Sequence, residues 1–186
     1  MKLLQLTLET SAANLALDEA LLDAGESGGP PVLRLWEPHE TCVVVGRSSR
    51  VAAEVNVEYC NDQGITIRRR ASGGAAVVAG PGCLMYALIL HLERHPQLRA
   101  VDQAHRFVLD RMVGALRPHV PEVECLGTSD LAIGDPTVGP DVASPRKFSG
   151  NSLRCKRNAI LYHGTIFYDF PLHLISQCLA MPPRQP

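Results

Sequence analysis

No run of apolar residues in this chain approaches the ~20 needed to cross a bilayer. The opening Met1-Lys2-Leu3-Leu4 runs into Glu9 and a helix-like stretch at 14–22, without a long apolar core followed by a small-residue cleavage site. No secretory signal is read there, and the expected address is cytoplasmic. A basic tract is missing as well. Eighteen Lys and Arg stand against 19 Asp and Glu, for a formal net charge of -1. With no basic, aromatic-rich stripe, nucleic-acid binding is disfavoured. The six cysteines are Cys42, Cys60, Cys83, Cys125, Cys155 and Cys178; none forms a C-x-x-C pair or a zinc-like Cys/His spacing. In a reducing compartment most of them are expected to be small core hydrophobes. G-x-x-x-x-G-K-[ST], H-E-x-x-H and G-x-S-x-G are all absent. That removes the common nucleotide-hydrolase, zinc-protease and esterase readings.

What is present fits one soluble domain. The 186 residues are 46% hydrophobic and 20% charged, and a chain of this length buries roughly two-thirds of its unfolded surface without staples. Helical spacing of Leu15, Leu17, Ala20, Leu21 and Leu22 predicts a helix over 14–22. Strands are predicted at Val32–Trp36 and Cys42–Val45, a short helix at 55–63 stopped by Gly64, and strands at 65–67, 75–79 and 84–92. Val101–Leu116 is the most regular helix, closed by Pro118 and Pro121. Short strands follow at Val123–Leu126, 131–133, 147–150, 159–163 and 165–168, with a Pro-rich loop at 135–145 and a last helix at 172–179. The expectation is a single α/β (α+β) domain over 1–186, a mixed β-sheet with flanking helices. Strands do not alternate strictly with helices, so a doubly wound nucleotide fold fits poorly.

Four segments could carry chemistry. In Arg68-Arg69-Arg70-Ala71-Ser72-Gly73-Gly74, glycines let a backbone approach a ligand, exposed N–H groups form an anion-binding nest, and arginines add fixed charge. The alternative is a strand-ending turn with solvated arginines. In Arg146-Lys147-Phe148-Ser149-Gly150, an ammonium beside a small turn can stabilise charge developing in acyl transfer, or simply be a solvated strand end. Tyr162-His163-Gly164-Thr165 is either a plain strand or a substrate contact. Cys125, before Gly127, is a core thiol or, beside a cation, a thiolate nucleophile; Cys83 shares that ambiguity.

Taken in order, these pieces resemble the lipoate-protein ligase A family, within the biotin/lipoate ligase and lipoyl (octanoyl) transferase group. Asn14-Leu15-Ala16-Leu17-Asp18-Glu19 looks like its first helix; Leu33-Arg34-Leu35-Trp36-Glu37-Pro38 and Val43-Val44-Val45-Gly46-Arg47 look like its first strand pair, followed by Glu54-Val55-Asn56. Arg69 to Val77 resembles the lipoyl-adenylate loop, Lys147 to Asn151 the lysine motif, and His163-Gly164-Thr165 the family's His-Gly-Thr/Ser segment. The resemblance implies a catalytic domain that activates lipoate or octanoate with ATP and Mg²⁺ as an acyl-adenylate. The acyl group then goes to a lysine of a lipoyl carrier domain, either of a 2-oxoacid dehydrogenase E2 or of a glycine-cleavage H-type protein. It implies that Lys147 contacts acyl carbonyl and phosphate oxygens. Arg70, Ser72, Gly73, Gly74 and Ala75, with Ser149, Gly150, His163, Gly164 and Thr165, are implied to bind the lipoyl or adenylate group.

The chain departs from the ligase pattern after the glycine loop. Ala75, Ala79-Gly80 and Gly82-Cys83 stand where a third glycine, a His-Asp pair and a Gly-Asn are usual, and the family's C-terminal accessory domain is expected to be absent or not covered by these residues. Cys125-Leu126-Gly127-Thr128-Ser129-Asp130-Leu131-Ala132-Ile133 also looks like the cysteine segment of the octanoyl transferase branch. There Cys125 would take the acyl group as a thioester without ATP, with Lys147 polarising the carbonyl and favouring the thiolate. A non-catalytic lipoyl-binding relative is the remaining reading; the Gly-Arg-rich loop of a biotin ligase is not found.

Overall fold

The computed structural model describes residues 1–134 and 145–180; the expected loop at 135–145 lies almost wholly outside them. Helix α1 (Ser11–Glu26) starts earlier than the apolar spacing predicts, because Thr10 caps it and its hydroxyl accepts from the Ala13 amide at 3.1 Å. The expected helix at 55–63 is instead two short ones, α2 (Val51–Glu54) and α3 (Val57–Asp62). Asn56 breaks the chain between them and caps α3 through the Tyr59 amide. The other helices are α4 (Val101–Leu116) and α5 (His173–Cys178), with a 3₁₀ turn at Pro96–Arg99.

The strands are β1 (Lys2–Gln5), β2 (Val32–Trp36), β3 (Cys42–Val45), β4 (Thr66–Arg69), β5 (Val77–Ala79), β6 (Cys83–His91), β7 (Val123–Leu126), β8 (Asp130–Ile133), β9 (Arg146–Cys155) and β10 (Ala159–Phe167). They form a seven-stranded sheet of order β1-β2-β6-β10-β9-β8-β7 and a three-stranded sheet of order β4-β3-β5. Both are mixed: β1 runs parallel to β2 and β3 to β4, and the other pairs are antiparallel.

Alternation along β6 and β10 assigns each face a partner. Ala87, Ile89, Ala159 and Leu161 pack with Leu22 of α1. Leu90 and Ile160 pack with Ala104 of α4, and Tyr86 and Tyr162 with Val108. The small sheet covers the rest of the α1 face: Val43, Val44, Val45 and Val78 share one cluster with Leu15, Trp36 and Met85. His163 and Thr165 continue the alternation of Ala159 and Leu161, so β10 carries them between the two sheets. No helix among the described residues is long and apolar enough to cross a membrane.

Candidate active site between the two sheets

A cavity of about 590 Å³ opens between the sheets. Leu15, Val44, Ala76, Val77 and Met85 give it an apolar wall, and Arg70, His105, Asp130, Lys147, Asn151 and His163 its polar one. The expected contacts Gly74, Ala75, Gly150, Gly164 and Thr165 line it too. Ser72, Gly73, Ser149 and Cys125 do not.

The turn after β4 is built around Arg70, which is 8% exposed. Its Nε donates to Ser72 Oγ (3.1 Å) and Gly73 O (3.1 Å), Nη1 to Val44 O (3.0 Å), and Nη2 to Gly73 O (2.5 Å) and Ala75 O (2.9 Å). Arg70 therefore spends its guanidinium on the turn's own carbonyls rather than offering it to a ligand as expected. Among the described residues the Gly74 and Ala75 amides make no hydrogen bond, while Ala76 N–H donates to Glu54 Oε2 at 2.7 Å. Gly74 holds φ +87°, and a Cβ there would stand 2.9 Å from Arg70 Nη2. Free amides beside a buried cation are the kind of donors from which anion-binding nests are built. Burial lowers the Arg70 pKa to about 10 against the opposing charge of Glu54, which leaves it charged at neutral pH.

Behind the turn runs a buried polar chain that sequence reasoning missed. Arg34, fully buried, donates to Asp18 Oδ1 (2.6 Å), Asn14 O (2.8 Å), Asn14 Oδ1 (2.5 Å) and Leu6 O (2.9 Å). Asp18 Oδ2 lies 3.9 Å from His163 Nδ1, and His163 Nε2 meets Ser72 Oγ at 2.5 Å. Ser72 Oγ accepts from Arg70, and its bond to His163 Nε2 runs in the direction the imidazole tautomer sets. The signal was Asn14 and Asp18 falling on the same stripe of α1 as Leu15 and Leu22.

Opposite the turn, a β-bulge re-aims Lys147. β8 pairs Leu131 with Ser149 but Ala132 with Lys147, leaving Phe148 without a partner across that ladder. Lys147 Nζ lies 2.6 Å from Asp130 Oδ2, with the lysine side chain 51% exposed. A Cβ on Gly150 would touch Lys147 Cε at 3.4 Å, so the lysine stem lies across the glycine. Asn151 donates to Ser129 O (2.7 Å) and accepts from Tyr86 Oη, tying β9 to the β7–β8 turn.

Cys125 is exposed on β7. Partial burial raises its thiol pKa, and Asp110 and Glu124 raise it further; the cationic neighbour expected to favour a thiolate is replaced by two carboxylates. Cys83 is buried at the start of β6, and desolvation pushes its thiol up to about 12, which makes it a core residue.

Comparison with known proteins gives a consistent picture. The model of the family described as lipoyl protein ligase A/B catalytic domain matches residues 10–185. A protein of Aeropyrum pernix named after lipoate-protein ligase A is 30% identical over 153 residues, 82% of this chain and 52% of that protein. An octanoyltransferase LipM of Oceanobacillus iheyensis is 26% identical over 190 residues, 98% of this chain and 69% of its own. The solved structure of a bipartite lipoate-protein ligase and its E2 lipoyl domain from Thermoplasma acidophilum superposes with a TM-score of 0.81 at 23% identity, covering 98% of this chain and 67% of that one. The chain thus spans about half the length of the first relative and about two thirds of the other two.

Proposed function

The chain belongs to the family of lipoyl protein ligase A/B catalytic domains, and from that membership we propose that it attaches a lipoyl or octanoyl group to a lysine of a lipoyl carrier domain. The observation that carries this reading is one cavity holding an apolar wall, a nest of free amides at Gly74 and Ala75, and the Lys147 ammonium. An eight-carbon acyl chain suits the apolar wall, and its carboxylate and a nucleotide phosphate suit the polar side. In the ligase form of the reaction the acyl carboxylate attacks the α-phosphorus of ATP, pyrophosphate leaves, and the carrier amine displaces AMP. Lys147 neutralises charge developing on the carbonyl and phosphate oxygens, and the turn amides do the same from the other side. Mg²⁺ would arrive on the phosphates; Asp130 is the carboxylate lining the cavity among the described residues, and this cation commonly needs only one or two. The E2 lipoyl domain of the Thermoplasma complex supports such a domain as acceptor; an H-type protein presents the same kind of lysine. Six free cysteines suit the reducing cytoplasm.

A second reading is favoured by the LipM relative, which matches nearly the whole chain, and by the missing His-Asp pair after the glycine turn. In it an acyl thioester is the donor, ATP is not used, and Cys125 carries the group between carriers. Transfer to a purified lipoyl domain, from free octanoate or lipoate with and without Mg-ATP and from an octanoylated carrier, separates the two. Modification that requires ATP and leaves no Cys125 thioester by intact mass supports the ligase. ATP-independent transfer abolished by Cys125→Ser replaces it with the transferase. No transfer from any donor removes both.

A further inference from the structure

Residues paired directly across neighbouring strands face the same side of a sheet. Register therefore lays one row across the face that the large sheet turns to the small one: Trp36 on β2, Met85 on β6, Thr165 on β10 and Gly150 on β9. Met85, Thr165 and Gly150 all line the cavity. At one end of the row the Lys147 stem lies across Gly150, where an added Cβ would stand 3.5 Å from Lys147 Nζ. Beyond the other end, Trp36 and Cys83 are 3% and 0% exposed, and neither lines the cavity. The row is a floor that begins under an ammonium and stops at a thioether.

Strand spacing gives that floor a length. Gly150 and Met85 stand two strands apart, which is about 10 Å. An extended chain advances roughly 3.6 Å per three bonds, so the seven bonds from C1 to C8 of an acyl group cover about 8 Å. The terminal methyl adds its own radius. A carbonyl held by Lys147 over Gly150 thus brings C8 against the Met85 side chain. A lipoyl group has the same length, because its dithiolane ring closes over C6 to C8. A ninth and a tenth carbon would have to enter the space that Met85 fills. Its thioether can change rotamer to fit a methyl end or a ring, but it has no room to recede. Cys83 Sγ donates to Met85 Sδ at 3.7 Å, and Trp36 stands beside it on β2. Val44, Ala76 and Val77 cover the slot from the small sheet and its glycine turn.

We propose that Met85 is the specificity-determining residue that sets acyl-chain length, admitting eight carbons and refusing ten or more, an assignment that rests on the acyl-transfer reading above. Met85 touches only the far end of the chain, so it acts on the choice of substrate and leaves the reacting carbonyl to Lys147.

The test is a ladder of acyl groups of six, eight, ten and twelve carbons. Each is supplied as the free fatty acid with Mg-ATP and as the acylated carrier, and transfer to a purified lipoyl domain is read by intact mass. Wild type should favour eight carbons and lose about tenfold or more in kcat/KM at ten, the usual discrimination of a filled apolar pocket. Met85→Ala should raise the ten-to-eight ratio by about tenfold or more, and Met85→Val, a smaller cut, should move it the same way. Met85→Leu should keep the optimum at eight, because the two side chains are close in volume. Each ratio is internal to one variant, so partial unfolding cancels. An unchanged ratio in Met85→Ala and Met85→Val, an equal loss at every length, or wild-type transfer of twelve carbons as fast as eight overturns the assignment. If wild type transfers no acyl group of any length from either donor, the acyl-transfer reading itself fails and the role of Met85 falls with it.

Discussion

Lys147 and Arg34 are both cations paired with an aspartate 2.6 Å away, yet they differ in what their loss should do. Lys147 is half exposed, so its ion pair contributes no more than about 1 kcal/mol to stability. Lys147→Ala should lower acyl transfer about 10²–10³-fold, the usual cost of one oxyanion donor, with an unchanged unfolding curve. Unchanged transfer would remove Lys147 from the proposed mechanism. Arg34 is fully enclosed and never reaches the cavity. Arg34→Met should cost about 3–5 kcal/mol in urea unfolding, because Asp18 is left as an uncompensated buried charge; a change under about 1 kcal/mol would show that Asp18 is neutralised some other way. The sequence showed which residues are chemically able, but not what they touch. Arg70 reads as a ligand contact because nothing in a linear string shows that turn carbonyls will absorb its donors. Asp18, Arg34 and His105 read as ordinary helix and strand residues because their hydrogen-bond partners lie between 16 and 57 positions away along the chain.

At the scale of elements, alternation and spacing located nearly every strand and helix, and the misses have local causes. β1 is short and exposed at a sheet edge, so it has no buried face to leave a pattern. β10 was expected as two strands around Gly164, a residue that usually weakens a strand. Here the glycine is required, since a Cβ would stand 2.7 Å from Gly150 O and collide with the Asn151 amide. Gly164→Ala should therefore push β9 off β10 and lower both the melting temperature and acyl transfer. Retained activity would mean that β9 can shift without moving Lys147. The bulge in β9 was not legible in the sequence, where 147–150 reads as a plain strand. Residues three apart on a regular strand face opposite sides, and the unpaired Phe148 turns Lys147 to the side of Gly150, across which its stem lies.

Across the whole molecule, one hydrophobic cluster joins residues of both sheets. The described residues should therefore unfold as one cooperative unit, with near-UV and far-UV transitions coincident; separated transitions would mark the small sheet as independent. Acid should weaken this unit through His105. Its folded pKa lies below the usual ~6.5, so the unfolded chain binds the proton first. The stability from this group is complete above pH ~6.5 and declines as pH falls through the folded value. His105→Gln should flatten that decline in urea midpoints measured across this range, and an identical slope in the variant would assign the decline to other groups. The strand order adds a consequence for synthesis. Among the described strands β10 is the last to leave the ribosome, yet it sits in the middle of the large sheet between β6 and β9. Until it arrives, the nascent chain holds two half-sheets with bare hydrogen-bonding edges facing one another across a missing centre. Such edges invite mispairing, and the strand that closes them also delivers His163 and Thr165. Birth of the site and sealing of the sheet are one event, so a chain stalled before residue 159 is both inactive and prone to aggregate.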